Sequence, residues 1–372
     1  MKKRVFIVLL VLLFVFGTAK TLAYHSSIII DGTRLESLSH GERLPLNDII
    51  KHSHGTVMWS GYGKYFVIHH DSNTVVIIIG SWQAIINGRY VNINVAPKII
   101  GDNVMVSPCF LSDNLGFGIG HINSTFIVST TPAQQIPVLI YHHILPDEVN
   151  THFKENAWTI STTNFAEQMR YLRNNNFYTP TLEELKNFLY RGRPLPSNSI
   201  MIHFDDGYYS NFVYAYPILE EYGFRAVLFP ITRESEKLGE VQPPLDYTSL
   251  THAAASTLRR QSSIFETASH SHALHDRNEY GQTLLIAASK EDIIADTMRS
   301  FEFVSNNRAY AYPLGMFNET VINALVEAGI KIAFTVNRGY VDANSDPFRL
   351  PRFTIYQTTN IGRFSDIVSG RM

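Results

Sequence analysis

Two kinds of hydrophobic pattern divide the chain. From residue 25 to about 130 the apolar positions form short β-type runs broken by turn signals. Ile28-Ile29-Ile30 leads into Asp31-Gly32, and Ala84-Ile85-Ile86 into Asn87-Gly88. Both are hairpin signals, because these dipeptides tolerate the positive φ of a two-residue turn. Between them, Tyr65-Phe66-Val67-Ile68 and Thr74-Val75-Val76-Ile77-Ile78-Ile79 read as strands joined through His-Asp-Ser-Asn. Each glycine turn is followed by a Pro-containing stretch and a short helix-like segment, residues 46–50 and 110–115, so a weak internal duplication is expected. Ser129-Thr130-Thr131-Pro132-Ala133-Gln134-Gln135 is polar and contains Pro, the pattern of a domain boundary with residues 131–135 as linker.

From residue 136 strands alternate with helices. Strands are expected at 137–141, 199–204, 226–229, 309–312 and 331–336. Helices are expected at 164–174, with Phe165, Met169 and Leu172 on one face, at 215–222 and at 318–328. Another opens at Thr181 with a capping-box spacing to Glu184. The alternation predicts an α/β domain, 136–372, with a parallel sheet or barrel whose site gathers at the strands' C-terminal ends.

The N-terminus changes the compartment. Lys2, Lys3 and Arg4 precede an apolar run, 5–16, followed by Gly17-Thr18-Ala19 and Thr21-Leu22-Ala23. This is the order of a secretory signal, and the run is short for a membrane span. Residues 1–23 are expected to be a signal peptide cleaved after Ala23, or an uncleaved anchor lengthened by Leu22 and Ala23; either way the rest is exported. Composition adds exclusions. The chain has 372 residues, is 45% hydrophobic and carries a net charge of −2, so a collagen, a coiled coil, a disordered chain and a broad nucleic-acid footprint are excluded. A single cysteine, Cys109, forms no internal disulfide and is expected to be a small buried hydrophobe. The 15 histidines stand out.

Four clusters can carry chemistry. Asp205-Asp206-Gly207 follows a strand, where two adjacent carboxylates repel unless a cation relieves them; the alternative is a polar turn. Ser269-His270-Ser271-His272-Ala273-Leu274-His275 offers imidazoles suited to Zn²⁺. His270 and His275 would face different ways on a helix, at about 500° of rotation, so a loop must gather them; the alternative is a solvated loop. Arg308-Ala309-Tyr310-Ala311-Tyr312-Pro313 offers an arginine able to grip a carboxylate in bidentate fashion, or an ordinary surface arginine. Pro313 keeps Tyr312 extended. Tyr141-His142-His143 ends the domain's first strand, where a histidine reaches a pocket or bonds to backbone. His52, His54, His69 and His70 lack carboxylate or Cys spacing and read as loop and strand-edge residues.

Two resemblances follow from these residues. The stretch from Gly55-Thr56-Val57-Met58-Trp59 to Leu115-Gly116, with Ile86-Asn87-Gly88-Arg89, resembles the copper amine oxidase N-terminal-like domain, which implies neither copper nor catalysis. Residues 136 to about 356 resemble the polysaccharide deacetylase family, carbohydrate esterase family four, or NodB homology domain. His203-Phe204-Asp205-Asp206-Gly207 matches its Thr-Phe-Asp-Asp-Gly motif with His for Thr, a side chain expected to point away from the site. Ser269-His270-Ser271 through His275 matches the second motif, and Arg308-x-x-x-Tyr312-Pro313 the third. Pro137-Val138-Leu139-x-Tyr141-His142-His143 resembles the exported poly-N-acetylglucosamine deacetylase branch. There are departures: Leu350-Pro351-Arg352 stands where the late Leu-x-His motif would, and the Asp-Trp pair is missing.

The resemblance implies a distorted (β/α) barrel of the NodB type, preceded by the smaller β-rich domain, 25–130. It implies one divalent ion, Zn²⁺ with Co²⁺ or Ni²⁺ as alternatives, on Asp206, His270 and His275. Asp205 becomes the base, Arg308 its orienting partner, the backbone N–H of Tyr312 an oxyanion donor, and His142, or its neighbour His143, the general acid. Tyr208, Tyr209 and Trp158 are candidate sugar platforms, with ordinary packing as the alternative. The implied activity is N-deacetylation of an acetylated polysaccharide, and the implied surroundings are the cell wall or membrane surface. Poly-N-acetylglucosamine, peptidoglycan and chitin-like polymers all satisfy it. The competing readings are a degenerate glycan-binding protein, prompted by the missing late histidine, and a two-carboxylate glycosidase. The latter needs carboxyls about 5 Å or more apart across a sugar bond, which adjacent aspartates fit poorly.

Overall fold

The computed structural model describes residues 26–36, 39–61, 64–260, 262–305 and 308–372, so the expected signal segment lies outside the described residues. The N-terminal region contains β1 (Ser27–Ile30), β2 (Thr33–Arg34), β3 (Leu44–Pro45), α1 (Leu46–His52), β4 (Thr56–Ser60), β5 (Tyr65–His70), β6 (Asn73–Ile78), β7 (Gln83–Ile86), β8 (Arg89–Asn92), β9 (Lys98–Ile100), β10 (Asn103–Val106), α2 (Pro108–Leu115), β11 (Gly118–Ile122) and β12 (Thr125–Ser129). Three sheets result, ordered β11-β12-β1-β2, β3-β10-β9 and β4-β5-β6-β7-β8. Both glycine turns form hairpins: Asp31 and Gly32 have φ of 45° and 79°, Asn87 and Gly88 of 49° and 81°. The core is built from alternate strand positions, Ile28, Ile30, Phe66, Ile68, Val75, Ile77 and Ala84, with Leu46, Ile49 and Leu111 from the helices. Cys109 is partly exposed rather than buried.

The C-terminal region contains β13 (Val138–Tyr141), β14 (His143–Leu145), β15 (Thr159–Ser161), α3 (Thr162–Asn174), α4 (Leu182–Arg191), β16 (Met201–Asp206), α5 (Tyr216–Tyr222), β17 (Ala226–Pro230), α6 (Thr232–Leu238), α7 (Ala255–Leu258), β18 (Phe265–Thr267), α8 (Leu284–Ala287), α9 (Lys290–Ser300), β19 (Ala309–Ala311), α10 (Glu319–Glu327), β20 (Ile332–Phe334), β21 (Phe353–Thr354) and α11 (Ile361–Val368). The capping box forms: Thr181 Oγ1 accepts from Glu184 N–H while the Glu184 carboxylate accepts from Thr181 N–H. The strands run parallel in the order β18-β17-β16-β13-β21. β19 pairs with β20, and parallel bridges Ser269–Tyr310 and Phe334–Leu350 join that pair to the rest. The ring closes into a distorted barrel. Leu139, Tyr141, Ile202, Phe204 and Leu228 face the helices, against Phe165, Met169, Leu219 and Phe364. Val138, Met201, Val227, Phe229, Ile332 and Phe334 form a second buried cluster.

The two regions are docked by specific contacts. A Cβ on Gly120 would lie 2.4 Å from the Tyr178 ring, and one on Gly118 2.4 Å from Leu195 O, so β11 presents bare backbone to the barrel domain. Tyr178 Oη accepts from His121 N–H at 3.1 Å and donates to Glu184 at 2.7 Å. Arg193 grips Asp113 through Nε and Nη2, at 3.1 and 3.2 Å, and Arg225 donates to His121 O. Ala133, within the expected linker, is buried in the barrel domain's core.

Candidate active site

β16 ends in the double aspartate, and the chain's geometry there separates the two carboxylates. Asp205 continues the strand's alternation on the face of Met201 and His203. Asp206 takes φ of 70°, a left-handed conformation that Asp tolerates better than most residues. Gly207 follows at φ 79°, and a Cβ there would meet Pro230 Cβ at 2.5 Å, so only glycine lets β16 leave beside β17.

Asp206 meets both expected histidines. Its Oδ1 lies 3.6 Å from His270 Nε2 and 3.5 Å from His275 Nε2. The donor atoms of Asp206, His270 and His275 lie within 4.8 Å of one another, the one such grouping among the described residues. His270 Nδ1 donates to Ala311 O at 2.8 Å, so the lone pair belongs to Nε2, the nitrogen aimed at Asp206. Burial, outweighing the nearby aspartates, lowers the His270 pKa to about 4 and keeps the ring neutral. Burial works against ionised Asp206, but its bond to His275 and the nearby His142, His270 and His275 bring it well below the usual carboxylate range. One carboxylate oxygen and two imidazole nitrogens are a donor set that suits a divalent cation.

Asp296 holds the histidine loop, accepting from His272 N–H at 2.8 Å and Ala273 N–H at 2.6 Å. Ser271 takes φ of 67°, which turns the chain between His270 and His272. His272 points elsewhere, with Nδ1 3.0 Å from Thr232 Oγ1 and Nε2 3.3 Å from Glu236.

Three expected roles are corrected. Arg308 does not reach Asp205: its guanidinium lies over Phe301 at 4.8 Å and donates to Ala328 O at 3.4 Å. The Asp205 partner is Arg352, whose Nη1 and Nη2 donate to its two oxygens at 2.9 Å each. Arg352 is fully buried, and its Nε donates to Thr335 O at 2.7 Å. Burial opposes ionisation of Asp205, and the Arg352 charge with its paired bonds overcomes it, so the pKa lies below the ordinary value. Secondly, the N–H of Tyr312 is spent on Phe334 O at 3.0 Å, a bond that ties β19 to β20, and so is not available to an oxyanion. Thirdly, Tyr208 is buried, and its Oη donates to Asp206 Oδ2 at 2.9 Å; it braces a carboxylate instead of offering a platform.

The remaining residues divide by depth. His142 is half-buried beside Trp158, ring centroids 6.3 Å apart, and contributes to the electrostatics of both Asp205 and Asp206. His143 is buried between Phe153 and Tyr208, at 5.3 and 5.2 Å, and burial lowers its pKa to about 4. Tyr209 is partly exposed. His203, expected to point away, lies on the same strand face as Asp205, its ring against Phe229 and Phe334 at 5.0 and 4.6 Å. His252 escaped the sequence reading altogether. Its ring lies 5.0 Å from Tyr208, and its Nδ1 3.1 Å from Asp206 O, reached from a segment with no motif of its own.

Residues 192–333 match the polysaccharide deacetylase family, and residues 43–130 match the copper amine oxidase N-terminal domain. A poly-beta-1,6-N-acetyl-D-glucosamine N-deacetylase of Staphylococcus aureus is 27% identical over 205 residues, which cover 53% of this chain and 68% of that protein. Among solved structures, IcaB from Ammonifex degensii superposes with a TM-score of 0.52 at 20% identity, over 65% of this chain and 99% of that one. The Streptococcus pyogenes deacetylase PplD, in complex with acetate, gives 0.52 at 22% identity, over 64% of this chain and 99% of that one. These likenesses carry the barrel fold.

Proposed function

We propose, for a chain whose C-terminal domain is of the polysaccharide deacetylase family, that it hydrolyses the N-acetyl groups of a poly-N-acetylglucosamine outside the cell, releasing acetate. The observation that carries this reading is the pairing of two sites on one strand end. Asp205 is gripped by Arg352, and Asp206 faces His270 and His275.

A divalent ion held by Asp206, His270 and His275, Zn²⁺ or in its place Co²⁺ or Ni²⁺, would polarise the acetamide carbonyl and lower the pKa of water. Asp205 takes the proton of the attacking water. Arg352 serves it twice, fixing the carboxylate plane and keeping it ionised, hence a proton acceptor at neutral pH. His142 gives a proton to the departing sugar nitrogen. Its half-buried position near both aspartates supports that role over His143, which is enclosed between aromatic rings. The C–N bond breaks as the amine takes its proton, leaving acetate and a glucosamine unit. Trp158, 49% exposed beside His142, supplies a face for a sugar ring, with Tyr209 a second candidate.

The degenerate-site alternative rested on the missing late histidine. Arg352, from that same Leu-Pro-Arg stretch, instead anchors Asp205, which supports a working site. The signal-like residues 1–23 support export to the cell wall or membrane surface. The test is acetate release from N-acetylglucosamine oligomers by the full chain after chelation and Zn²⁺, Co²⁺ or Ni²⁺ restoration. Metal-restored acetate that Asp205→Asn abolishes is the expected result. A folded protein that releases none with any of the three overturns the reading.

A further inference from the structure

The five-stranded sheet β4-β5-β6-β7-β8 buries one face and leaves the other open. Phe66, Ile68, Val75, Ile77 and Ala84 point into the core, and strand alternation puts their neighbours outward. The register aligns five of these outward residues across all five strands. Met58 pairs with Val67, Val67 with Val76, Val76 with Ile85, and Ile85 with Tyr90. Met58 is 51% and Tyr90 75% exposed, so both ends of the row are open to solvent. Tyr65 and Ile78 form a directly paired second step beside it.

The outward positions of the rim are polar and uncharged, the nearby charges of Lys64, Asp71 and Arg89 lying at turns and a strand end. Thr56, Ser60, His69, Thr74, Gln83 and Asn92 flank the row, and no Lys, Arg, Asp or Glu occupies an outward position on the five strands. Gln83 Nε2 donates to Asn92 Oδ1 at 3.3 Å, and Asn87 Nδ2 to Asn73 Oδ1 at 2.9 Å. Solvent-facing sheet surfaces ordinarily alternate to charged or strongly polar residues, and an unbroken apolar row across five strands departs from that pattern.

Charge and size select the occupant. At about 4.8 Å per strand and 3.4 Å per residue the face measures roughly 19 Å by 13 Å. That projects to about 250 Å², well short of the ~800 Å² per partner of a standard protein interface, so a second copy is poorly served. A neutral polymer fits, because it can bind weakly at a narrow strip and gain from repetition and tethering. The docking of the N-terminal domain through Gly118, Gly120 and Tyr178 supplies that tether at a fixed distance from the barrel.

We infer that this outward face is a second binding surface, for the neutral N-acetylated glycan, separate from the catalytic site. The inference deepens the proposed function and rests on it for the identity of the polymer. An acetylated chain lays its uncharged rings and methyl groups on the Met58-to-Tyr90 row and its amides and hydroxyls on the rim. A deacetylated chain carries ammonium groups that would have to be desolvated over the row, so the product is released.

The test is co-sedimentation of the full-length protein with insoluble chitin, and with fully deacetylated chitosan, for wild type, Val76→Lys and Tyr90→Ala. Tyr90→Ala alters an exposed edge residue and guards against misfolding of the lysine variant. The expected result is chitin binding about tenfold weaker in both variants, little binding to chitosan, and a KM for the polymer raised about tenfold at constant kcat. Acetate release from short soluble oligomers is expected to be unchanged. Equal chitin binding by all three proteins, or chitosan bound as tightly as chitin, overturns the inference. So does a dimer in sedimentation that Val76→Lys dissociates, which would assign the face to a second copy. If no substrate yields acetate yet both variants lose chitin, the deacetylase reading fails and the binding surface stands.

Discussion

In the N-terminal domain, His69 is exposed with Nδ1 3.1 Å from Thr74 Oγ1, and His70 is buried with its ring 4.7 Å from Phe117. In the barrel, His270 and His275 have ring centroids 4.9 Å apart and share a carboxylate oxygen of Asp206. Both regions are rich in histidine. What separates them is topology. Neighbours along an antiparallel strand alternate between core and solvent, so His69 and His70 point to opposite faces. Parallel strands send their C-terminal loops to one rim, where residues 64 positions apart can converge. Histidine density is therefore a weak signal of a metal site, and strand-end placement beside a carboxylate is a strong one.

The sharpest way to break that contrast is to delete candidate ligands of the barrel and histidines of the N-terminal domain. Asp206→Ala and His270→Ala are expected to abolish stoichiometric metal, measured by elemental analysis, and to lower acetate release by ~10³-fold or more. The triple change of His52, His54 and His69 to Ala is expected to alter neither. Metal lost from the triple variant instead would reverse the comparison. Within the barrel, Asp205→Asn separates the proposed base from the proposed ligands. It is expected to keep its metal while losing on the order of 10²–10⁴ in kcat; loss of both together would place Asp205 among the ligands.

The two arginines offer a second contrast. Removing Arg352 strands Asp205 in the interior, so Arg352→Leu should cost about 3–5 kcal/mol in denaturant unfolding. Arg308→Ala forfeits its contact with Phe301 and a long bond to Ala328 O, about 1 kcal/mol. Equal losses would show that Asp205 does not depend on its bidentate partner.

Titration sharpens the comparison between buried and exposed histidines. Burial depresses His143 to about 4 from an ordinary 6.5, so the unfolded chain binds the extra proton first. Its stabilisation is complete above pH ~6.5 and is lost as pH falls toward 4, by roughly 3 kcal/mol at 1.4 kcal/mol per unit. Asp205, also depressed, adds stability that is present above its ordinary value near 3.8 and disappears below it. Unfolding free energies between pH 7 and 4 should therefore decline for wild type and decline less for His143→Phe. Parallel curves for the two proteins would remove His143 from the account.

Much of this was legible in the residues. The alternation of patterns located the β-rich and α/β regions, and the motifs named Asp206, His270 and His275, whose side chains the fold brings together. What misled was reach. Arg308 stands at a motif position, but its backbone, at φ 54°, sends the side chain to Phe301. Arg352 occupies a stretch that reads as a departure from pattern, and only the closing of the barrel through Leu350 brings it to Asp205, 147 positions away. A fully buried arginine leaves no sequence signature, since its partner is set by the ring closure. His142 and Arg352 also lie outside the stretch that matches the deacetylase family, so the proposed site draws on both ends of the barrel beyond its recognisable middle.

Tyr208 and Tyr209 make the finest comparison, because they are adjacent and were expected to act alike. Tyr208 is buried and bonds Asp206 Oδ2 at 2.9 Å, leaving Oδ1 toward His270 and His275; Tyr209 is partly exposed and its N–H donates to Thr251 O at 2.8 Å. A hydrogen bond to the second oxygen would hold a metal-ligating carboxylate in orientation, and loss of such outer partners typically costs 10–100-fold in metal affinity. Tyr208→Phe keeps the ring between His143 and His252 and removes only the hydroxyl. Titration calorimetry with Zn²⁺ should then show affinity reduced about 10–100-fold with the fold intact. Tyr209→Phe should bind Zn²⁺ as wild type does. If both phenylalanine variants bind equally well, the Tyr208 hydroxyl is a bystander, and Asp206 is held by its left-handed backbone and its two histidines alone.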